Sequence, residues 1–158
     1  MQLSPNKRRV INTRVVEYRE GKKRSKTIFG FMALNGSDVA MVSDRARADD
    51  MNVFLGLVRE ENHGMPVLAV MDNARIHKAK TVRERADELD VHQVYLPPYS
   101  PDLNPIEFGW KDLKRELGAY LAFDKMVGMG RDVALELFKE RKLSYAEHWI
   151  ESFIRIKS

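Results

Sequence analysis

The chain has 158 residues, of which 44% are apolar and 32% charged, with a net charge of +4 and no cysteine. That size and mixture suit one globular domain rather than a disordered or membrane-embedded chain, and the absence of any long apolar run sets the expectation of a cytoplasmic protein with no membrane partner. Without cysteine there are no disulfides, thiolate zinc sites or thiol nucleophiles, which leaves carboxylates and histidines as the candidate chemistry.

The positive charge is local. Residues 1–26 hold nine Lys/Arg (Lys7, Arg8, Arg9, Arg14, Arg19, Lys22, Lys23, Arg24 and Lys26) against Glu17 and Glu20, a net of +7, and the other 132 residues net −3. This field suits a docking polyanion, and a solvated, solubilising hairpin accounts for the same charges. In this region Arg9 to Tyr18 and Thr27 to Leu34 are rich in β-branched and aromatic residues, and Asn35-Gly36 signals a tight turn before Val39 to Val42, so antiparallel strands are expected.

A helix capped by Asp49 or Asp50 follows, with apolar residues at Met51, Phe54, Leu55 and Val58 in helical spacing. The run Val67-Leu68-Ala69-Val70-Met71 predicts a strand covered on both faces and ending in Asp72-Asn73. Ala79, Val82, Ala86 and Leu89 predict a second helix, Val91 to Leu96 a further strand, and Pro97-Pro98-Tyr99-Ser100-Pro101 a stiff extended loop. Asn104 and Pro105 suit the N-cap and first position of a third helix, whose apolar face is Ile106, Trp110, Leu113 and Leu117. Gly128-Met129-Gly130 is read as separating a C-terminal tail of two helical segments, around Val133 to Phe138 and Trp149 to Ile154. The order is that of an α/β sheet with helices on its faces.

Open α/β sheets build sites beyond the carboxyl ends of their strands, which makes Asp72 a candidate ligand or base, although Asp72-Asn73 can equally turn the chain and cap the next helix. Glu107, in the first turn of the third helix, can likewise serve the helix dipole and its cap. Lys111 and Lys114 fall at i+4 and i+7 from it and bring cations, and so a possible phosphate, to its face. Two carboxylates from separate elements suit a hard, oxygen-preferring ion such as Mg²⁺, and a pair of such ions can activate an attacking oxygen and stabilise a leaving one at a phosphodiester.

The stretches Met71-Asp72-Asn73-Ala74-Arg75-Ile76-His77, Leu96-Pro97-Pro98-Tyr99-Ser100-Pro101-Asp102-Leu103-Asn104-Pro105-Ile106-Glu107 and Trp110-Lys111-Asp112-Leu113-Lys114 resemble mariner-superfamily DDE transposases, above all their prokaryotic insertion-sequence branch. The 34 residues between Asp72 and Glu107 match one major branch of that superfamily. The resemblance covers about residues 2 to 120. It implies a ribonuclease-H-like (retroviral-integrase-like) α/β fold over 1–120, with 121–158 as a helical extension. It also implies Mg²⁺ or Mn²⁺, two ions in the complete enzyme, and an activity that cuts and rejoins DNA at transposon ends and target.

By the same resemblance Asp72 and Glu107 are the second and last metal-binding carboxylates. Asn73, His77, Pro98, Ser100, Pro101, Asp102, Asn104 and Pro105 are motif scaffold, and Arg8, Arg9, Arg14, Lys22, Lys23, Arg24, Lys26, Lys111 and Lys114 are the DNA-facing cations. His77 is expected in a structural or DNA-proximal role, and His63, His92 and His148 show no ligand spacing. In such transposases a first aspartate ends a central strand ahead of a basic hairpin like that of residues 2–26. No acidic residue precedes Glu17 here, so that strand and aspartate, and a helix-turn-helix region, are expected upstream. Asp38, Asp44, Asp49 and Asp50 are poor substitutes, since the first two flank an edge strand and the others suit a helix cap. Two functions therefore compete: an enzyme part completed by an upstream fragment, and an inactive remnant that binds DNA through its hairpin. Either leaves unpaired strand edges, which predicts strand donation from a partner or homo-oligomerisation, in a cytoplasmic, nucleoid-associated setting.

Overall fold

The computed structural model describes residues 8–11, 14–19, 22–33, 36–98, 106–118 and 123–157, with side chains for 26–33, 36–98 and most of 106–116 and 129–147. The elements run β1 (Arg8–Ile11), β2 (Arg14–Arg19), β3 (Lys22–Phe31), β4 (Val39–Ser43), α1 (Ala48–Glu61), β5 (Val67–Met71), α2 (Arg75–Lys78), α3 (Lys80–Glu88), β6 (Val91–Tyr95), α4 (Ile106–Gly118) and α5 (Phe123–Lys157). The expected antiparallel segment is finer than its composition indicated, because Arg9 to Tyr18 is divided between β1 and β2, and β3 begins at Lys22 rather than Thr27.

β1 to β4 form one antiparallel sheet in chain order, and β5 and β6 form a separate parallel pair. Alternation along β3 and β4 gives the first sheet two apolar faces. Phe29 and Val39 face α1 and share a core with Met51, Phe54, Leu55 and Val58 of α1, Val82 and Ala86 of α3, and Val67, Ala69, Met71 and Val91 of the second sheet. Ile28 and Ala40 face the other way, against Trp110 and Leu113 of α4 and Ala134, Leu137 and Phe138 of α5.

The strand β5 corrects an expectation. Val67, Ala69 and Met71 are buried, but Leu68 and Val70 are exposed, as is Val94 of β6. The helices α1 and α3 cover one face of this pair, whereas α4 and α5 pack on the first sheet, so the opposite face of the pair stays open to solvent. The start of α1 is also corrected: Arg47 is the N-cap, and Asp50 sits at the third helical position, where its carboxylate accepts from Arg47 N at 3.0 Å and Ser43 Oγ at 2.6 Å.

The glycines at 128 and 130 do not divide a tail. One helix, α5, runs through both, and Gly130 is buried where an added Cβ would lie 2.8 Å from Ile28 Cδ1. It is glycine because helix and strand approach too closely there for a side chain, and the interior contact outweighs its weak helix propensity. No helix among the described residues is long and apolar enough to cross a membrane.

Candidate active site

The site begins where β5 stops. Asp72 follows the last β5 residue, and β6 runs parallel with Met71 opposite Tyr95, so both strands end at the same rim. A hydrogen bond from Leu96 N to Met71 O at 2.8 Å fixes the start of the Pro-rich loop beside Asp72. Both described partners of the Asp72 side chain fall on Oδ1, which accepts from Ala74 N at 3.0 Å and from His77 Nδ1 at 2.8 Å. The hydrogen bond from His77 is the main reason the carboxyl lies below its ordinary range; partial burial opposes it, and the charge of His77 and the Ala74 amide reinforce it. Asp72 is therefore held as a carboxylate on a fixed mount.

That mount is built from several elements. His77 belongs to α2, and its backbone carbonyl accepts from Gln93 Nε2 at 3.0 Å and Tyr95 Oη at 2.9 Å, which ties α2 to β6. Next to Asp72, Asn73 Oδ1 is buried and meets no hydrogen-bond donor. Most buried polar atoms are satisfied, so an acceptor beside a carboxylate that meets no donor is an oxygen left over for one. Carboxylate and amide oxygens are the donor set that Mg²⁺ and Mn²⁺ prefer, and these residues fit such an ion.

Glu107 lies in the first turn of α4. The helix is anchored one turn on by Trp110, packed edge-on to Phe138 with ring centroids 5.7 Å apart, and by the fully buried Leu113. On its flank Asp112 accepts from Arg141 Nη1 at 2.8 Å and from Tyr145 Oη at 2.6 Å and pairs with Arg115, while Phe108 stacks on Tyr145. The helix α5 therefore braces the helix that bears Glu107, a connection with no counterpart in the sequence motifs. Asp72 and His77 are brought together, and no group of three Asp, Glu or His side chains in metal-holding positions forms among the described residues.

The other candidates divide similarly. Lys111 is exposed, its ammonium 5.5 Å from the Phe108 ring centre. Lys26 pairs with Asp44 at the start of the loop after β4. The strands that carry Arg8, Arg9, Arg14, Lys22, Lys23 and Arg24 are described, and β1 packs against α4, which sets the basic hairpin beside the Glu107 helix. Ser100, Pro101, Asp102, Asn104 and Pro105, with the expected helix cap, lie outside the described residues, as does the Lys114 side chain. Asp38 is occupied by Ala33 N and Lys142, Asp44 by Lys26, and Asp50 by the α1 cap, so these three carboxylates have structural work of their own.

Comparison with known proteins places the chain in a family and a fold. A family model described as DDE superfamily endonuclease matches residues 5–126. The transposable element Tc1 transposase of Caenorhabditis elegans is 39% identical over 74 residues, which are 45% of this chain and 27% of that protein. The match thus spans about a quarter of that curated relative's length. Among solved structures, the catalytic domain of the Mos1 mariner transposase aligns with a TM-score of 0.52 at 15% identity, covering 81% of this chain and 74% of its own. A simian T-cell lymphotropic virus intasome, in complex with PP2A regulatory subunit B56 gamma, gives 0.48 at 17% identity over 75% of this chain and 43% of its own. The fold is ribonuclease-H-like, a mixed α/β arrangement with a C-terminal helix. The chain belongs to the DDE superfamily endonucleases.

Proposed function

We propose that this chain is the larger part of a transposase catalytic domain that cuts and rejoins DNA at transposon ends, with Asp72 and Glu107 as two of its metal-binding carboxylates. The observation that carries the reading is Asp72 itself: an ionised carboxylate at a strand's carboxyl end, oriented by Ala74 and His77, within the span matched by the endonuclease family. Mg²⁺ or Mn²⁺, two ions in the complete site, would polarise the phosphodiester and lower the pKa of an attacking hydroxyl. The protein's own part is positional. His77 orients the Asp72 carboxylate, and α5 braces α4. Transposon-end and target DNA would dock along the basic hairpin.

The third carboxylate would arrive on a strand from an upstream transposase fragment. Two open edges support this: β3 over Ile28–Phe31 pairs only with β4, and β5 pairs only with β6, among the described residues. A strand set along them would join the two sheets and end near Asp72. The same open edges are a route to homo-oligomers. A second reading, a DNA-binding remnant without catalysis, is favoured by the lack of a three-ligand cluster among the described residues.

One experiment separates the two readings. Mn²⁺-dependent cleavage of duplex DNA is measured for the 158-residue chain, for a version extended upstream through the genomic reading frame, and for the extended Asp72→Ala variant. Cleavage by the extended protein alone, abolished by Asp72→Ala, is the expected result. Cleavage by neither protein supports the remnant, and cleavage by the shorter chain means that another of its own aspartates completes the site.

A further inference from the structure

The hairpin is not the only excess of positive charge in the sequence. Between Asn73 and Arg83 the sequence holds Arg75, Lys78, Lys80 and Arg83 and no Asp or Glu. All four are exposed, on α2 and α3, within the first turns after Asp72. Where these helices carry ordinary solvated pairs, the pairs are evident: Lys80 lies 3.8 Å from Glu84, and Arg85 3.2 Å from Glu88. Arg75, Lys78 and Arg83 pair with no acidic side chain among the described residues.

Lys78 is held in a different way. Its ammonium sits 5.7 Å from the centre of the Tyr95 ring, a cation–π distance. The ring is fixed in turn, because its hydroxyl donates to the His77 carbonyl at 2.9 Å and Tyr95 closes β6 opposite Met71. The charge of Arg83 also reaches the Tyr95 phenol. An aromatic partner holds a cation without neutralising it, so Lys78 is preorganised and still carries its full field. A solvated helix face needs neither feature, whereas an anion-binding strip benefits from both.

We propose that Arg75 and Lys78 of α2 and Arg83 of α3, exposed on the helices that follow Asp72 and with Lys78 held over the Tyr95 ring, form a phosphodiester-binding strip for the DNA strand that approaches this carboxylate. The inference rests on the DNA-processing reading above and adds a contact surface on the opposite side of Asp72 from the hairpin in sequence. Its cations would hold backbone phosphates without reading bases, so binding through the strip is independent of DNA sequence.

The test is duplex DNA binding by the full chain, followed by fluorescence anisotropy from 50 to 200 mM KCl, for the parent, Arg75→Gln/Lys78→Gln/Arg83→Gln and Lys78→Arg. Each lost phosphate contact flattens the plot of log K against log salt by about 0.9, so the triple variant should lose about 2 to 3 from its slope and Lys78→Arg nothing. Because the chain has no cysteine, a photo-crosslinker can be attached at Lys78→Cys alone, with exposed Glu60→Cys on α1 as control. DNA should be captured from position 78 and not from position 60. An unchanged slope, or equal capture from both positions, overturns the strip and leaves the DNA reading intact. A parent chain that does not bind DNA at all overturns both.

Discussion

Gly30→Ala tests the seat of the helix that carries Glu107. An ideal Cβ at residue 30 would lie 2.9 Å from Trp110 Cζ2 and 3.0 Å from Phe138 Cζ, and closer still to Trp110 Cη2. Carbon pairs are most favourable near 3.5 to 4.0 Å, so the indole must withdraw by more than half an ångström. It has little room, since Trp110 and Phe138 are both buried and packed edge to face. Overpacking of this kind costs about 1 to 3 kcal/mol, and alanine recovers about 0.5 to 1 kcal/mol through the stiffer unfolded chain. A net loss of about 1 kcal/mol lowers Tm by about 2 to 4 °C in a chain of this size. Trp110→Phe removes both clashing indole atoms, so the double variant should be more stable than the sum of the single losses by about 1 kcal/mol or more. The assay is thermal and urea unfolding followed by circular dichroism for the four proteins of the cycle. A Gly30→Ala protein as stable as its parent, or strictly additive effects, would refute the close seating of α4 on β3.

Further outcomes are expected. Tyr145→Phe removes a 2.6 Å hydrogen bond from a buried phenol to the Asp112 carboxylate and should cost about 1 to 2 kcal/mol at neutral pH, read by urea unfolding. Burial first, then the hydrogen bond and charge of Asp112, raise the phenol's pKa above its ordinary value of 10.0, so this stabilisation is complete below that pH and fades above it; the alkaline loss should shrink in the variant. At the acid end, burial pushes the Asp112 carboxyl up, but hydrogen bonds from Tyr145 and Arg141 and the charges of Arg141 and Arg115 outweigh it and leave the group below 3.8. Its contribution is therefore present above that pH and lost as the pH falls further, which a pH series of melts would show. Asn62→Ala strands the Ser37 amide, which donates to Asn62 Oδ1 at 2.8 Å, and should cost about 1 to 3 kcal/mol, measured by chemical denaturation. Replacing Lys22, Lys23 and Arg24 together by alanine should flatten the salt dependence of DNA binding by up to about 2.7, and an unchanged slope removes the hairpin from the DNA path.

What could be read from the sequence follows the physics of each signal. Helical spacing placed Met51, Phe54, Leu55 and Val58 on one buried face, because a helix against a core leaves that pattern unaided. Asp72 was legible as a strand-end carboxylate because an apolar run stops abruptly there. The same run misled about β5: an unbroken apolar strand implies cover on both faces, and the sequence does not say whether the covering element is present. Gly128 and Gly130 looked like a break because glycine is a weak helix former, yet the close approach of Gly130 to Ile28 becomes visible only once α5 is docked. The run of cations from Arg75 to Arg83 was present in the sequence as a stretch with no acid, but its meaning depends on Tyr95, which only the β5–β6 register brings beside it. Likewise, nothing local to Asp112 announces Arg141 or Tyr145, which lie a helix away.

The face of β5 and β6 that carries exposed Leu68, Val70 and Val94 links stability to the proposed function. Leu68 is 63%, Val70 43% and Val94 36% exposed, side by side across a parallel pair whose β5 edge is free among the described residues. Fully burying such a side chain stabilises by about 1.5 to 3 kcal/mol, so covering the exposed parts of all three is worth about 2 to 4 kcal/mol, before any ladder hydrogen bonds along β5. Against a total stability of about 5 to 15 kcal/mol this is a large share. A strand that pairs with β5 must run beside Asp72, and an element that covers Leu68 and Val70 must lie on the face of the pair opposite α1 and α3. Under the proposed function, a single partner strand that does both would supply folding energy and the proposed third carboxylate together. The two effects are then coupled, so that a weakened third-carboxylate strand should lower the melting temperature and the cleavage rate in parallel, whereas Asp72→Ala should abolish cleavage and cost only the Ala74 and His77 contacts in stability.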